Sequence, residues 1–314
     1  MSSKPLRIIF MGTPDFAVPA LRALINGPDL VVAVICQPDR ARGRGRKTGA
    51  PPVKILAAEH HLAVLQPDSI RTDDFFEHVK ELAPDLVVVA AYGKILPGRL
   101  LRLPPLGTIN VHGSLLPRYR GAAPIQWALI NGEQETGITI MQVDEGMDTG
   151  DILLQVSRPI KDDDTAGSLF AALAELGGEA LTDAVAQLKK GQLQAVRQDD
   201  RLATAAPMLT KEQGHLDWRR PARDLHCLIR GLDPWPSAYS FLAGKRFRFF
   251  KPLVVDGPVA EPPGTICRAD KNGLLIATGH DYLLVREIQP EGKKRMSVQA
   301  CLCGLSLPVG GQLH

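Results

Sequence analysis

The sequence predicts a two-domain α/β protein, with a Rossmann-like, open, mostly parallel sheet in its N-terminal part and a small β-barrel in its C-terminal part. Three observations carry this. At 314 residues the chain exceeds the usual size of one domain. Its N-terminal part alternates near-continuous Val/Ile/Leu runs with helix-periodic segments, the pattern of strands buried on both faces beneath covering helices. Beyond Leu209 the pattern changes to short alternating runs separated by Gly, Pro and Asp turns, which suits a barrel.

In order, the apolar run Leu6-Arg-Ile-Ile-Phe-Met stops at Gly12-Thr-Pro-Asp, after which Phe16, Val18, Leu21, Leu24 and Ile25 recur at helical spacing. The turn has neither the lysine and glycines of a P-loop nor the G-x-G-x-x-G of a dinucleotide site, and reads as a plain strand-to-helix turn. Residues 30–36, 62–65 and 85–91 are the next three strands, with helices near 51–61 and 72–83 between them. A strand over 108–111, a Gly/Pro-rich loop, a helix over 124–130 and a strand over 136–143 follow, then the turn Asp144-Glu-Gly-Met-Asp148-Thr-Gly and a strand over 152–156. From 165 to 188 an apolar stripe of Leu169, Leu173, Leu176, Leu181, Val185 and Leu188 predicts a long helix. The catalytic domain is expected over 1–190, a linker of weak periodicity over 191–208, and the second domain over 209–314. That domain is read as a helix over 223–229 and strands over 239–242, 246–252, 264–267, 274–278 and 282–288.

Composition narrows the class. The chain is 45% apolar and 23% charged, and no apolar run approaches the roughly 20 residues of a membrane span. No signal peptide is evident, and the five cysteines stand at irregular spacings, which fits a reducing compartment and a cytoplasmic location rather than a disulfide framework. Cys301-Leu-Cys303 lacks the further ligands a metal needs, so no metal is expected. The net charge of +3 is uneven: residues 210–314 hold 15 Lys/Arg against 10 Asp/Glu, and residues 1–209 hold 22 against 24. A basic C-terminal part on a neutral body points to a polyanion such as nucleic acid.

Ligands of open α/β sheets lie beyond the carboxyl ends of the strands, where the loops 37–50, 92–97 and 112–124 gather. The first of these holds five cations in eight residues, Arg40-Ala-Arg42-Gly-Arg44-Gly-Arg46-Lys47, and is expected to be ordered by a phosphate backbone. In the last, His112 is the side chain best suited to proton transfer near neutral pH. Asn110, two residues earlier, projects from the same strand face and is able to donate to an oxygen held near the imidazole. Asp148 is either a turn former or, if the sheet brings its turn beside His112, the carboxylate that orients the imidazole and takes up a proton.

Asn110-Val-His112-Gly-Ser-Leu-Leu-Pro117, followed by Arg-Gly-Ala-Ala-Pro, Thr-Gly-Ile-Thr-Ile and Asp148-Thr-Gly-Asp, closely resembles the folate-dependent formyltransferases. The likeness extends from Arg7-Ile-Ile-Phe-Met-Gly-Thr-Pro-Asp-Phe, through Gln37-Pro-Asp-Arg and the basic loop, to Trp235-Pro. Across the whole chain it is to the members of that family that act on initiator tRNA.

The resemblance implies formyl transfer from 10-formyltetrahydrofolate, a co-substrate rather than a tightly bound cofactor, to the α-amino group of methionine on initiator tRNA. It implies that Asn110 binds the oxyanion, that His112 stabilises it and assists the proton toward the leaving folate nitrogen, and that Asp148 takes the amine proton and fixes His112. Ser114, Leu115, Leu116 and Pro117 match the family's folate segment, and the apolar neighbourhood that ends in Lys94, Ile95 and Leu96 suits a flat pterin. Arg42, Arg44, Arg46 and Lys47 correspond to the loop that meets the tRNA acceptor arm, with Arg44 at the matching position. The second domain is expected to be OB-like and to bind the tRNA body, and the protein to be a monomer. The rival readings are another formyl-folate enzyme, acting on glycinamide ribonucleotide or a sugar nucleotide or as a hydrolase, and a noncatalytic nucleic-acid-binding protein, which leaves the Asn-His-Asp pattern unexplained.

Overall fold

The structure is a computed structural model that describes residues 4–42 and 47–314. Strand β1 (Arg7–Gly12) leads through helix α1 (Val18–Ile25) to β2 (Leu30–Ile35). The short pair β3 (Arg40–Arg42) and β4 (Lys47–Gly49) follows, then α2 (Pro52–Glu59), β5 (Val64–Leu65), α3 (Asp73–Glu81) and β6 (Leu86–Ala90). Next come α4 (Gly98–Leu101), β7 (Thr108–His112), α5 (Pro124–Ile130), β8 (Glu135–Gln142), β9 (Ile152–Pro159) and the long α6 (Ala166–Lys189). The order in the sheet is β5-β2-β1-β6-β7-β8-β9. Strands β5, β2, β1, β6 and β7 run parallel, and β8 returns antiparallel to β7 with Asn110 opposite Met141 and His112 opposite Thr139. This is the Rossmann-like, mostly parallel arrangement expected.

The apolar runs explain the layering. Ile8, Ile9 and Phe10 of β1 are fully buried, and all five residues of β6 are buried. β-Branched side chains of this kind fill both faces of a pleated sheet. One core unites Ile9, Met11, Ala33, Ile35, Val87 and Val89 with Ile70, Val79, Tyr92, Leu96 and Leu100. Helix α6 lies close by virtue of Gly177 and Gly178, where a Cβ would meet Val111 Cγ1 at 2.9 Å and the Pro19 carbonyl oxygen at 3.0 Å.

Close packing divides the chain into two units, one comprising the chain to Gly121 with Thr136–Arg158 and Phe170–Ala205, the other Ala122–Glu135, Pro159–Leu169 and Ala206–His314. Residues 191–205, within the stretch read as a linker, therefore pack on the first unit. Val196 pairs with Ile152 and Ala205 with Arg120.

In the second unit α7 (Ala222–Gly231) packs on α5, and a Cβ at Gly231 would meet the Gln126 carbonyl oxygen at 3.0 Å. The strands β10 (Tyr239–Leu242), β11 (Lys245–Val255), β12 (Ile266–Asp270), β13 (Gly273–Ala277) and β14 (Tyr282–Pro290) form a curled antiparallel sheet in the order β10-β11-β14-β13-β12. Short β15 (Met296–Ser297) joins β14 and leads into α8 (Val298–Leu302). The C-terminal residues reach both sheet edges, Leu313 bridging to Leu242 at the end of β10 and Gln312 to Thr265 beside β12. Strand edges that would otherwise expose unpaired backbone are thereby covered. The core under this sheet includes Trp218, Leu225, Ile229, Phe247, Phe249, Ile276, Val285 and Ile288.

The basic loop after β2 is bounded by an antiparallel pair, with Arg42 opposite Lys47. Arg44 and Arg46 lie outside the described residues. No helix among the described residues is long and apolar enough to cross a membrane. All five cysteines are free.

Candidate active site

Three loops leave the carboxyl ends of the parallel strands and tie to one another. After β1, the Thr13 hydroxyl accepts from the Gln37 backbone N–H at 3.2 Å, and after β2 the Gln37 amide donates to the Tyr92 carbonyl beyond β6 at 3.1 Å. The next strand, β7, carries Asn110 half-buried and His112 buried, on alternate positions of one face. The Asn110 side-chain amide makes no hydrogen bond among the described residues.

His112 is held from two sides. Its Nε2 lies 3.0 Å from the Tyr119 carbonyl oxygen, in the loop that follows the strand. A carbonyl only accepts, so the proton sits on Nε2, and Nδ1 is left as the nitrogen free to exchange a proton. That Nδ1 faces Asp148 Oδ2 at 3.6 Å. The same carboxylate oxygen accepts from the Gly121 backbone N–H at 2.8 Å. Asp148 stands at φ +55°, in the left-handed region that Asp enters more easily than most residues but, having a Cβ, still at some cost, so the turn aims its carboxylate with some local strain. The structure thus brings His112 and Asp148 together, with Asn110 two residues back along the strand.

A model of the formyl transferase family matches residues 6–185, and a model of the formyl transferase C-terminal domain matches residues 208–306. The chain belongs to the formyl transferase family. It is 60% identical to a methionyl-tRNA formyltransferase of Desulfotalea psychrophila over 97% of this chain and 94% of that one. With a protein of the same name from Caldanaerobacter subterraneus subsp. tengcongensis the identity is 50%, over 97% and 99% of the two chains. Among solved structures, the sugar 3N-formyl transferase WlaRD superposes with a TM-score of 0.68 at 16% identity, over 93% of this chain and 100% of that one, a likeness of fold.

The remaining site candidates of this formyl transferase divide into two groups. In the first, Ser114 is fully buried and its hydroxyl donates to the Arg118 carbonyl at 2.7 Å, while the Ser114 carbonyl accepts from Thr139 at 2.6 Å. The Leu116 backbone N–H donates to Thr139 Oγ1 at 3.1 Å, and its carbonyl accepts from Gln155 at 2.8 Å. These groups are committed to shaping the loop, which leaves the half-buried Leu115 and Pro117 as its partly accessible side chains. In the second, Lys94 donates to the Asp68 carbonyl at 2.9 Å, Leu96 is buried in the core, and Ile95 is 60% exposed. The loop carrying Asp148 is braced toward this region by the Arg102–Glu145 ion pair, 3.0 Å long, and internally by the Thr149 hydroxyl on Asp144 at 2.7 Å.

Sequence reasoning missed Tyr119, Gly121 and Gln198, whose Nε2 donates to the Asp148 carbonyl at 2.8 Å. The first two act through backbone atoms, which no residue type announces. Gln198 lies in a stretch of weak periodicity, where a glutamine carries no pattern of its own.

Proposed function

We propose that this chain transfers the formyl group of 10-formyltetrahydrofolate to the α-amino group of methionine on initiator tRNA, giving N-formylmethionyl-tRNA for translation initiation. The observation that carries the chemistry is the buried imidazole whose Nδ1 lies 3.6 Å from the Asp148 carboxylate, on a strand that also bears the half-buried Asn110. The acceptor is inferred from the methionyl-tRNA formyltransferases that share up to 60% identity over nearly the whole chain.

In this reading the amine nitrogen attacks the formyl carbon, and the formyl oxygen becomes an oxyanion that accepts from the Asn110 amide. Removing one such donor from an acyl-transfer site typically costs about a hundred- to a thousandfold in rate. Asp148 takes the proton that the amine sheds, and its charge steadies the imidazole. His112, with Nε2–H fixed on Tyr119, takes that proton from Asp148 onto Nδ1, and the resulting Nδ1–H stabilises the oxyanion and passes its proton to the folate nitrogen as the carbon–nitrogen bond breaks. One proton leaves the amine and one reaches the leaving nitrogen, so the exchange needs no redox partner.

The segment Ser114–Pro117 and the residues Lys94, Ile95 and Leu96 are assigned to the folate, with the exposed Ile95 offering an apolar surface to the pterin. Arg42, Arg44, Arg46 and Lys47 are assigned to the acceptor arm, and residues 210–314, with 15 Lys/Arg against 10 Asp/Glu, to the tRNA body. Both substrates arrive from solution, and the protein acts as a cytoplasmic monomer.

The test is an assay of the purified chain with labelled 10-formyltetrahydrofolate and three acceptors: charged initiator tRNA, charged elongator tRNA and glycinamide ribonucleotide. Label is expected on the methionine of initiator tRNA. Label on glycinamide ribonucleotide alone overturns the assignment of the acceptor.

A further inference from the structure

The side chain of Gln198 is 5% exposed and lies between the Arg120 guanidinium and the turn at 148–150. Its Nε2 donates to the Asp148 carbonyl at 2.8 Å and to the Gly150 carbonyl at 2.7 Å. Its Oε1 accepts from Arg120 Nε at 3.0 Å and from the second guanidinium nitrogen at 2.8 Å. The orientation of the amide follows from chemistry, because carbonyls only accept and a guanidinium only donates. Arg120 is held in turn by Asp200 at 2.8 Å.

The chain on either side of Gln198 grips the other wall of the same site. The Thr204 hydroxyl accepts from the Tyr119 backbone N–H at 2.9 Å, and the Thr204 carbonyl from the Arg120 backbone N–H at 2.8 Å. Tyr119 is the residue whose carbonyl fixes His112, and Gly121 is the one whose N–H holds Asp148. One segment, 198–204, therefore contacts both the loop that orients the imidazole and the turn that presents the carboxylate.

Asp148 needs such support. A left-handed non-glycine residue persists only where its surroundings over-determine it. The Gln198 amide binds two carbonyls that follow that conformation, at 148 and 150, and Arg120 keeps the amide from turning over. We propose that Gln198, braced by Arg120, is a positioning residue for formyl transfer: it locks the turn so that the Asp148 carboxylate stays on His112 and Gly121. This rests on the reading of Asp148 as the group that takes the amine proton.

The experiment is a double-mutant cycle read by kcat, with KM for 10-formyltetrahydrofolate and for charged initiator tRNA measured alongside. Gln198→Ala is expected to lower kcat by about ten- to a hundredfold, the scale of a displacement near 1 Å at a reacting group, with both KM values within about twofold. In an Asp148→Ala background the same change is expected to alter kcat by less than about twofold, since the residue it positions is gone. Gln198→Glu keeps an acceptor for Arg120 but sets a carboxylate oxygen against the two carbonyls, and is expected to lose at least as much kcat as the alanine variant. It also serves as the reading if the alanine variant does not fold. An unchanged kcat in Gln198→Ala, or an equal loss in both backgrounds, overturns the positioning role and leaves Gln198 as ordinary packing. Wild-type turnover by Asp148→Ala alone removes the underlying assignment of Asp148 as the proton acceptor, which is a separate failure.

Discussion

His112 and His226 are buried to nearly the same depth, at 5% and 3% exposure, one in each unit of the chain, and their surroundings are opposite. His112 is met by a carbonyl and a carboxylate, groups that hold an N–H and welcome positive charge. His226, on α7, has an Nδ1 with no hydrogen-bond partner among the described residues. Burial, helped by the Arg230 and Arg223 guanidinium charges and opposed by the weaker pull of Asp162, lowers its pKa to about 4. It is a neutral core residue at any ordinary pH. Burial therefore says nothing about whether a histidine does chemistry; the sign and type of its neighbours decide it.

Two experiments sharpen that contrast. The larger effect is on turnover: His112→Ala is expected to lower formyl transfer by about a hundredfold or more, whereas His226→Leu, far closer in volume to what it replaces, is expected to stay within about twofold of wild type. Steady-state rates under saturating substrates check both, and a large kcat loss in His226→Leu breaks the distinction. The second effect is on stability. Because the folded pKa of His226 lies below that of a free histidine, the unfolded chain binds more protons between about pH 6.5 and pH 4. Stability from this group is thus complete above about pH 6.5 and is lost as pH falls toward 4, by about 3 kcal/mol over that window. Denaturant melts at pH 7 and pH 4.5 are expected to show this loss in the wild type and a smaller one in His226→Leu.

Much of the scaffold was legible because the residues that form it carry strong local patterns. The buried runs of β1, β2 and β6 fall where the Val/Ile/Leu stretches lie, and the helix expected over 124–130 is α5 to the residue. What stayed hidden was short or non-local. Helix α4, with four residues, and α8, with five, are too brief to show a period, and β15 has only two residues. The covering of both sheet edges by residues near 312–313 depends on pairings across more than 40 residues, which no local pattern encodes. The membership of residues 191–205 in the first unit was equally invisible, since its anchors are scattered hydrogen bonds at Val196, Gln198 and Thr204 to partners far away in the chain.

The same holds for the site. Asn110, His112 and Asp148 were readable as residue types in a recognisable order. The Tyr119 carbonyl, the Gly121 N–H and the left-handed backbone of Asp148 supply the geometry that makes the types useful, and these are properties of backbone that only the fold reveals.

The Asp148 carboxylate, held beside His112, is proposed to take the proton that formyl transfer must remove. Single-turnover transfer from 10-formyltetrahydrofolate to charged initiator tRNA by Asp148→Ala, with tRNA affinity measured on the same sample, tests it most directly. The expected result is a rate lowered by about a hundredfold or more with tRNA still bound at near wild-type affinity. A near-normal rate contradicts it.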